Sequence, residues 1–157
     1  MSTFDGELLS NPTEYRHIVG ALQYVTLTRL DIAYSVNQLY QHVHAPTLVH
    51  LIVAKRVLRY LKGSVDCGLH YHKGYLTLNA FCDSDWASNP DDRCSTTGFG
   101  IFFGPNLIYW SAKKQHIVSR SSTEAEYRSF SLTIAELLWI RMVLREMHIS
   151  LPSSPTL

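Results

Sequence analysis

Two acidic residues near the middle of the chain have a spacing that suits metal chemistry. Asp83 ends an alternating apolar segment, and Asp85 lies two residues further on. Side chains two apart on a strand point to the same face, and carboxylates at a strand end can hold a divalent cation. The alternative is that both acids cap the strand and keep the following turn solvated. The residue types alone leave both interpretations open.

Two further acids, Glu124 and Glu126, lie at the start of a long predicted helix, from about Thr123 to Met147. Glu124 lies four residues before an arginine, which is a surface arrangement, whereas Glu126 shares a stripe with apolar residues further along. The stripe consists of Phe130, Ile134, Leu137 and Leu138. It predicts that Glu126 lies at the edge of the helix face that packs on a sheet, where a metal ion shared with Asp83 would offset the cost of burial. The alternative is a capping box in which Thr123 caps the helix and Glu126 occupies its third position.

The elements that must position these acids change period along the chain. Apolar residues at helical spacing predict three helices. The first begins near Asn11-Pro12, the second runs from about Asp31 to His42, and the third runs from Pro46 to Gly63. In the third helix the residues predicted to face inward are Leu48, Leu51, Ala54, Val57, Leu58 and Leu61. Alternation then predicts strands over Gly68–His72, Tyr75–Asp83, Thr96–Phe103 and Leu107–Ala112. The predicted fold class is α+β, with N-terminal helices, an antiparallel sheet of three or four strands, and one long helix packed across the sheet.

Composition and charge limit the possible partners. The 157 residues are 46% hydrophobic and 17% charged, with a formal net charge of +1, so no global field attracts nucleic acid. A local contact with a phosphate backbone is predicted at Lys113, Lys114 and Arg120, which follow two aromatic residues. An ordinary polar loop is the alternative. No apolar run is long enough to span a bilayer, and the three cysteines have no metal-like spacing. The N-terminal segment lacks the apolar core of a secretory signal, so an intracellular location, cytoplasm or nucleus, is expected.

Several segments together are far more specific than any one acid. They are YRHIVGALQYVTLTRLDIAYSVNQ, HAPTLVHLIVAKRVLRYLKGS, FCDSDWASNPDDRCSTTGF, IYWSAKKQHIVSRSSTEAEYRS and AELLWI. In this order they resemble the copia-type LTR retrotransposon polyprotein, over nearly all of Tyr15 to Met147. The resemblance implies that residues 1–64 are a helical connection segment from the end of the reverse transcriptase, and residues 65–157 a truncated ribonuclease H-like domain. One departure is Leu30, where the family usually has proline.

The resemblance also implies a chemistry. Asp83 matches the family's first metal-binding aspartate, and Glu126 matches its metal-binding glutamate. The implied cofactor is Mg²⁺, and the implied substrate is the RNA strand of an RNA–DNA hybrid, cleaved by two-metal hydrolysis. The family uses two further aspartates beyond the segment that matches this chain. We therefore expect the isolated chain to be inactive, and the missing half of the polyprotein to be a possible partner.

A second hypothesis comes from Arg56-Val57-Leu58-Arg59, which matches the Arg-x-Leu-Arg motif of secreted oomycete effectors. Asp91-Asp92-Arg93 loosely resembles the acidic motif that often follows it. Under this alternative the chain is secreted, enters a host plant cell, and modulates immunity by binding host plant proteins. Against it, the tetrapeptide lies in a predicted amphipathic helix, and so short a pattern arises easily by chance.

Overall fold

The computed structural model describes residues 1–3 and 5–157, which form two compact units. The first comprises Met1–Leu69 and Asn89–Asp92, and the second comprises His70–Ser88 and Arg93–Leu157. The main division thus falls a few residues after the predicted one at position 64. The family identities assigned to the two segments remain predictions. Among the described residues, no helix combines the length and the apolar character needed to cross a membrane.

The first unit is helical, as predicted. It contains α1 (Thr13–Val25), a 3-10 turn (Leu30–Ile32), α2 (Ala33–Tyr40) and α3 (Leu48–Lys62). Its core is formed by Tyr15, Val19, Leu22, Ile32, Val36, Leu39, Leu51, Ala54 and Val57. Thr47 begins α3 with a capping box, in which the His50 side chain reaches back to the Thr47 backbone.

The inward face of α3 was predicted only in part. Leu51, Ala54 and Val57 are buried, but Leu48 and Leu58 are 51% and 40% exposed, so their predicted inward position is wrong. The imidazole of the capping residue, His50, is fully buried and fills the first turn instead. A histidine at this position is polar by hydropathy, which is why the apolar pattern did not indicate it.

Arg29 fastens the turn before α2 to the end of α3. Its guanidinium donates two hydrogen bonds to the Asp31 carboxylate, at 2.9 and 2.7 Å, and further bonds to the Ser64 carbonyl and hydroxyl oxygens. Tyr60 Oη also donates to Asp31, at 2.7 Å. The Arg29 hydrogen bonds lower the pKa of Asp31 to about 2. This contribution to stability is therefore complete above the usual carboxyl pKa and is lost as the pH falls toward 2.

We expect an Arg29→Met variant to unfold at a clearly lower temperature. Arg29 is only 8% exposed, and methionine keeps much of its volume while removing the guanidinium donors of Asp31 and of the Ser64 carbonyl. The expected fall in Tm is roughly 5–10 °C, measured by circular dichroism in the helical band.

The matched control removes another cation of the same unit. Lys55 Nζ lies 3.0 Å from Glu14 Oε1, but both side chains are more than half exposed. Such a pair contributes little, so Lys55→Met should shift Tm by no more than about 2 °C. Equal shifts in the two variants would show that the Arg29 network does not hold this unit together.

The second unit is an antiparallel sheet with one long helix. The strands are β1 (Leu78–Asp85), β2 (Thr96–Phe103) and β3 (Asn106–Lys114), in the order β1-β2-β3. The helix α4 (Ser122–Glu146) packs mainly on β1 and β2. The core between helix and sheet contains Leu78, Ala80, Phe99, Ile101, Leu137 and Ile140. The α+β architecture is confirmed: N-terminal helices, an antiparallel sheet and one long packing helix.

The predicted strand over Gly68–His72 is wrong. The described chain has three named strands, and the segment before β1 runs beside the β2–β3 turn without joining the sheet. Asn106 holds this segment by accepting from the His72 amide at 2.6 Å and donating to the His72 carbonyl at 2.8 Å. Gly104, in the left-handed region at φ +57°, donates to Thr77 O within the same contact. Local alternation therefore gave no information about the strand pairing.

The C-terminal tail is attached to the sheet through Thr156. Thr156 forms a parallel bridge to β1 on the edge opposite β2. Its amide donates to Leu78 O at 3.0 Å, and its carbonyl accepts from the Ala80 amide at 2.8 Å. The outer edge of β1 thus accepts an extended segment that runs parallel to it.

Candidate functional site

Asp83 and Glu126 line one open groove of about 430 Å³. The groove lies where α4 crosses the C-terminal half of β1, and both carboxylates are exposed to solvent. The other lining residues are Cys82, Thr123, Tyr127 and Phe130. The structure therefore brings together the two acids that are 43 positions apart in sequence.

The close approach of α4 to β1 depends on small residues. Ala125, Ser129 and Thr133 follow one another at i,i+4 spacing and are fully buried. Ser129 Oγ donates to the backbone carbonyl of Asp83 at 2.8 Å, and Thr133 Oγ1 donates to Ser129 O at 2.8 Å. These hydroxyls satisfy their hydrogen bonds within the interface, so no water is needed there. The bond to Asp83 ties the strand to the helix one turn after Glu126.

The predicted packing stripe of α4 is wrong in part. Leu137 is buried and Ile134 half-buried, but Phe130 and Leu138 are 43% and 53% exposed. The buried face is rotated toward the small residues described above. Glu126 therefore lies on the groove wall beside an exposed phenylalanine, at the border of the packed face.

Ser121, and not Thr123, caps the start of α4, so the capping-box interpretation of Glu126 is wrong. Ser121 Oγ accepts from the Glu124 amide at 3.1 Å. The Glu124 carboxylate accepts from the Arg120 amide at 2.8 Å and pairs with Arg128 at 2.8 Å. The hydrogen bond from Arg128, followed by that from the Arg120 amide, lowers the pKa of Glu124. Glu124 thus stabilises the helix start, while Glu126 faces the groove.

The two acids at the end of β1 have different roles: Asp85 caps a strand, and Asp83 lines the groove. Asp85 accepts a short hydrogen bond from the Thr96 amide, so it caps the start of β2. Asp83 accepts from the adjacent Ser84 amide through Oδ1 at 2.8 Å and also lines the groove. Strand capping therefore accounts for Asp85, and Asp83 is the acid that metal chemistry could use.

The donor set of the groove fits a hard cation only incompletely. Two carboxylates supply oxygen ligands of the kind that Mg²⁺ prefers, but Mg²⁺ needs six ligands in near-octahedral geometry. Within the described residues, no group of three or more His, Cys, Asp or Glu side chains is placed to hold a metal ion. Most ligands of an ion bound here would therefore be water or substrate oxygens.

The three predicted nucleic-acid contacts do not share one face. Lys114 pairs with Thr96, which pairs with Asp85, so all three point to the same side of the sheet. Lys113 pairs with Thr97 and points to the α4 side. Arg120 is exposed in the loop just before α4. The structure places these cations near the same end of the sheet but on different surfaces.

Comparison with known proteins finds homologous sequences along the whole chain. No family model matches the chain, and no solved structure matches it. It is 58% identical over 130 residues to an uncharacterized mitochondrial protein of Arabidopsis thaliana, covering 82% of this chain and 54% of that protein. It is 49% identical over 158 residues to the retrovirus-related Pol polyprotein from transposon RE1 of the same plant, covering 100% of this chain and 11% of the polyprotein. It is 37% identical over 128 residues to the secreted RxLR effector protein 161 of Plasmopara viticola, covering 80% of this chain and 90% of the effector. The chain is homologous over its whole length to copia-type retrotransposon Pol polyproteins.

The family comparison concerns only part of the larger relatives. The chain spans about half of the mitochondrial protein and about a tenth of the Pol polyprotein. It spans 90% of the effector. Homology to Pol sequences is therefore established along the whole chain, whereas an activity of the complete polyprotein is not thereby assigned to this segment.

The Arg-x-Leu-Arg tetrapeptide lies within α3. Val57 is 8% exposed and belongs to the core of the first unit, while Arg56 and Arg59 are exposed and Leu58 is 40% exposed. The following acidic motif is also ordered, since Asp91 accepts hydrogen bonds from the N-terminal Thr3 amide and hydroxyl. Both motifs therefore have structural roles in this chain.

One residue at this site was missed by sequence reasoning. Gln115 follows β3 directly and makes hydrogen bonds to β1, β2, α4 and the loop before α4. A single glutamine beside two lysines carries no periodic signal. Only the quoted segment IYWSAKKQHIVSRSSTEAEYRS, which runs from β3 into α4, could have drawn attention to it.

Proposed function

We propose that this chain is a ribonuclease H-like segment that supplies two metal-binding carboxylates, Asp83 and Glu126, for hydrolysis of RNA in an RNA–DNA hybrid. The observation that carries the proposal is the shared groove of these two acids. Homology to Pol polyproteins, in which this segment is a small part, supports it. The segment acts in the cytoplasm or nucleus, together with the rest of the polyprotein.

The chain's own residues would hold and shape the site. Asp83 and Glu126 bind Mg²⁺, and the Ser129 bond to the Asp83 carbonyl fixes the strand against the helix. Tyr127 and Phe130 form the apolar wall of the groove. When bound, Mg²⁺ would supply the Lewis-acid chemistry of phosphodiester hydrolysis. Lys114 and Arg120 contact the hybrid's phosphates from their separate surfaces.

Metal binding tests this proposal without any need for catalysis. We expect the chain to bind Mn²⁺ weakly, with Kd on the order of 1 mM, because only two protein ligands are present. Asp83→Asn and Glu126→Gln should each remove the saturable binding, measured by electron paramagnetic resonance of free Mn²⁺. Glu124→Gln is the matched control, since Glu124 pairs with Arg128 and does not line the groove. Binding that survives Asp83→Asn but not Glu124→Gln would contradict the proposed site.

A second candidate function is a non-enzymatic effector role in a host plant cell, after secretion. The observation that favours it is the match to 90% of the length of a protein named as a secreted RxLR effector. Expressed inside leaf cells, an effector of this kind would suppress defence-triggered cell death by binding host proteins. Asp83→Asn should leave that suppression intact, whereas Arg56→Ala with Arg59→Ala tests the exposed arginines of the motif. No suppression by the parent chain would exclude this role.

A further inference from the structure

Gln115 is placed to control the geometry of the Asp83–Glu126 groove. The two hydrogens of its Nε2 are shared among three oxygens: Ser84 Oγ at 3.1 Å, Thr97 Oγ1 at 3.0 Å and the Ala125 carbonyl oxygen at 3.0 Å. Ser84 is the residue after Asp83, and Ala125 is the residue before Glu126. One amide group thus contacts the residue next to each acid.

The Gln115 side chain is itself held from both sides. Its Oε1 accepts from Ser119 Oγ at 3.1 Å, and Ser119 O in turn accepts from Trp86 Nε1 at 3.0 Å. Its backbone amide donates to Ser95 O at 2.7 Å, one position beyond the end of β3. Ser119 and Ser95 are almost fully buried. Because backbone and side chain are both anchored, the position of the amide is well defined.

The chemistry of this position requires a primary amide. The Ala125 carbonyl needs a donor, and the Ser119 hydroxyl needs an acceptor, so a group that both donates and accepts is required. A carboxylate would place negative charge against the Ala125 carbonyl oxygen, and an aliphatic chain would leave that oxygen without this donor in a partly buried site. Asparagine has the right group but is one methylene shorter.

We infer that Gln115 is a positioning residue, which sets the separation between Asp83 and Glu126 by bonding to Ser84 of β1 and to the first turn of α4. It does not line the groove, so it acts through the elements that carry the acids. The inference deepens the proposed metal-binding role and rests on it for its functional consequence. The geometric part is independent of any metal.

The test compares Gln115→Leu with the parent chain in two measurements. We expect the Kd for Mn²⁺ to rise by about tenfold, as when the partners that orient metal ligands are removed. We also expect faster amide hydrogen exchange in the first two turns of α4, measured without metal. Ile101→Val serves as the control, because it trims a fully buried core side chain of the same unit that does not line the groove. That variant should lower Tm by a few degrees without changing the Kd.

The outcomes separate this inference from the proposed function. Unchanged Mn²⁺ affinity in Gln115→Leu, with a parent chain that binds, overturns the inference and leaves the metal site standing. A parent chain that does not bind Mn²⁺ overturns the proposed function, and the exchange data then decide whether Gln115 fixes α4 against β1. Equal changes in Gln115→Leu and Ile101→Val would reduce Gln115 to a general contribution to stability, which also overturns the inference.

Discussion

We expect the purified chain to leave the RNA strand of a labelled RNA–DNA hybrid uncut, in either Mg²⁺ or Mn²⁺. Two-metal hydrolysis requires ions about 4 Å apart that stabilise both the attacking and the leaving oxygen. The groove offers the carboxylates of Asp83 and Glu126, and no described cluster of three or more ligating side chains exists. Two carboxylates cannot hold two such ions in a defined geometry. Cleavage by the parent chain that disappears in Asp83→Asn would show this expectation to be wrong.

In the same cleavage assay, a longer version of the chain is expected to be active. Thr156 already pairs with β1 in parallel, so residues that follow this position in a longer Pol segment could continue along the outer edge toward Asp83. A version extended with the residues that follow the matching segment in the transposon RE1 polyprotein should therefore gain metal-dependent cleavage, from background to a readily measured rate. Asp83→Asn in the extended version should return it to background. An extended chain that stays inactive, yet folds and binds Mn²⁺, would contradict the ribonuclease H assignment.

The types of the elements could be predicted because their periodicities are strong. The apolar residues of α3 recur at helical spacing along the helix, and the residues of β2 alternate along the strand. The segment Gly68–His72 alternates as well, but it forms no strand in the described part of the chain, and the Asn106 side chain holds it at His72. Strand formation depends on a partner, which a local pattern cannot supply.

Asp83 and Glu126 were proposed as a pair from the residue pattern and also from the family resemblance, and the structure places them in one groove. The reasoning from helix phase was less accurate, since it took Phe130 for a core residue. The true packed face contains Ser129 and Thr133. Their hydroxyls make hydrogen bonds within the interface, but a hydropathy pattern ranks both residues as polar. Gln115 carries no periodic signal, because its role depends on contacts with β1, β2 and α4 that form only in the folded chain.

A pair of substitutions on α4 distinguishes the predicted helix face from the observed one. Ser129 is fully buried against β1, so Ser129→Leu must force its larger side chain into a filled interface and also removes the bond to the Asp83 carbonyl. Overpacking together with the lost hydrogen bond should lower the free energy of unfolding by about 2–4 kcal/mol. The measurement is urea denaturation followed by circular dichroism and tryptophan fluorescence.

Phe130→Ala is the matched variant, one residue further along the helix. Phe130 is 43% exposed, so its removal should cost no more than about 1 kcal/mol, whereas a core phenylalanine would cost about 3–5 kcal/mol. Ser129→Ala separates the two contributions at position 129, because it removes the hydrogen bond without adding volume and should cost about 1 kcal/mol. A larger loss for Phe130→Ala than for Ser129→Leu would restore the helix face predicted from sequence.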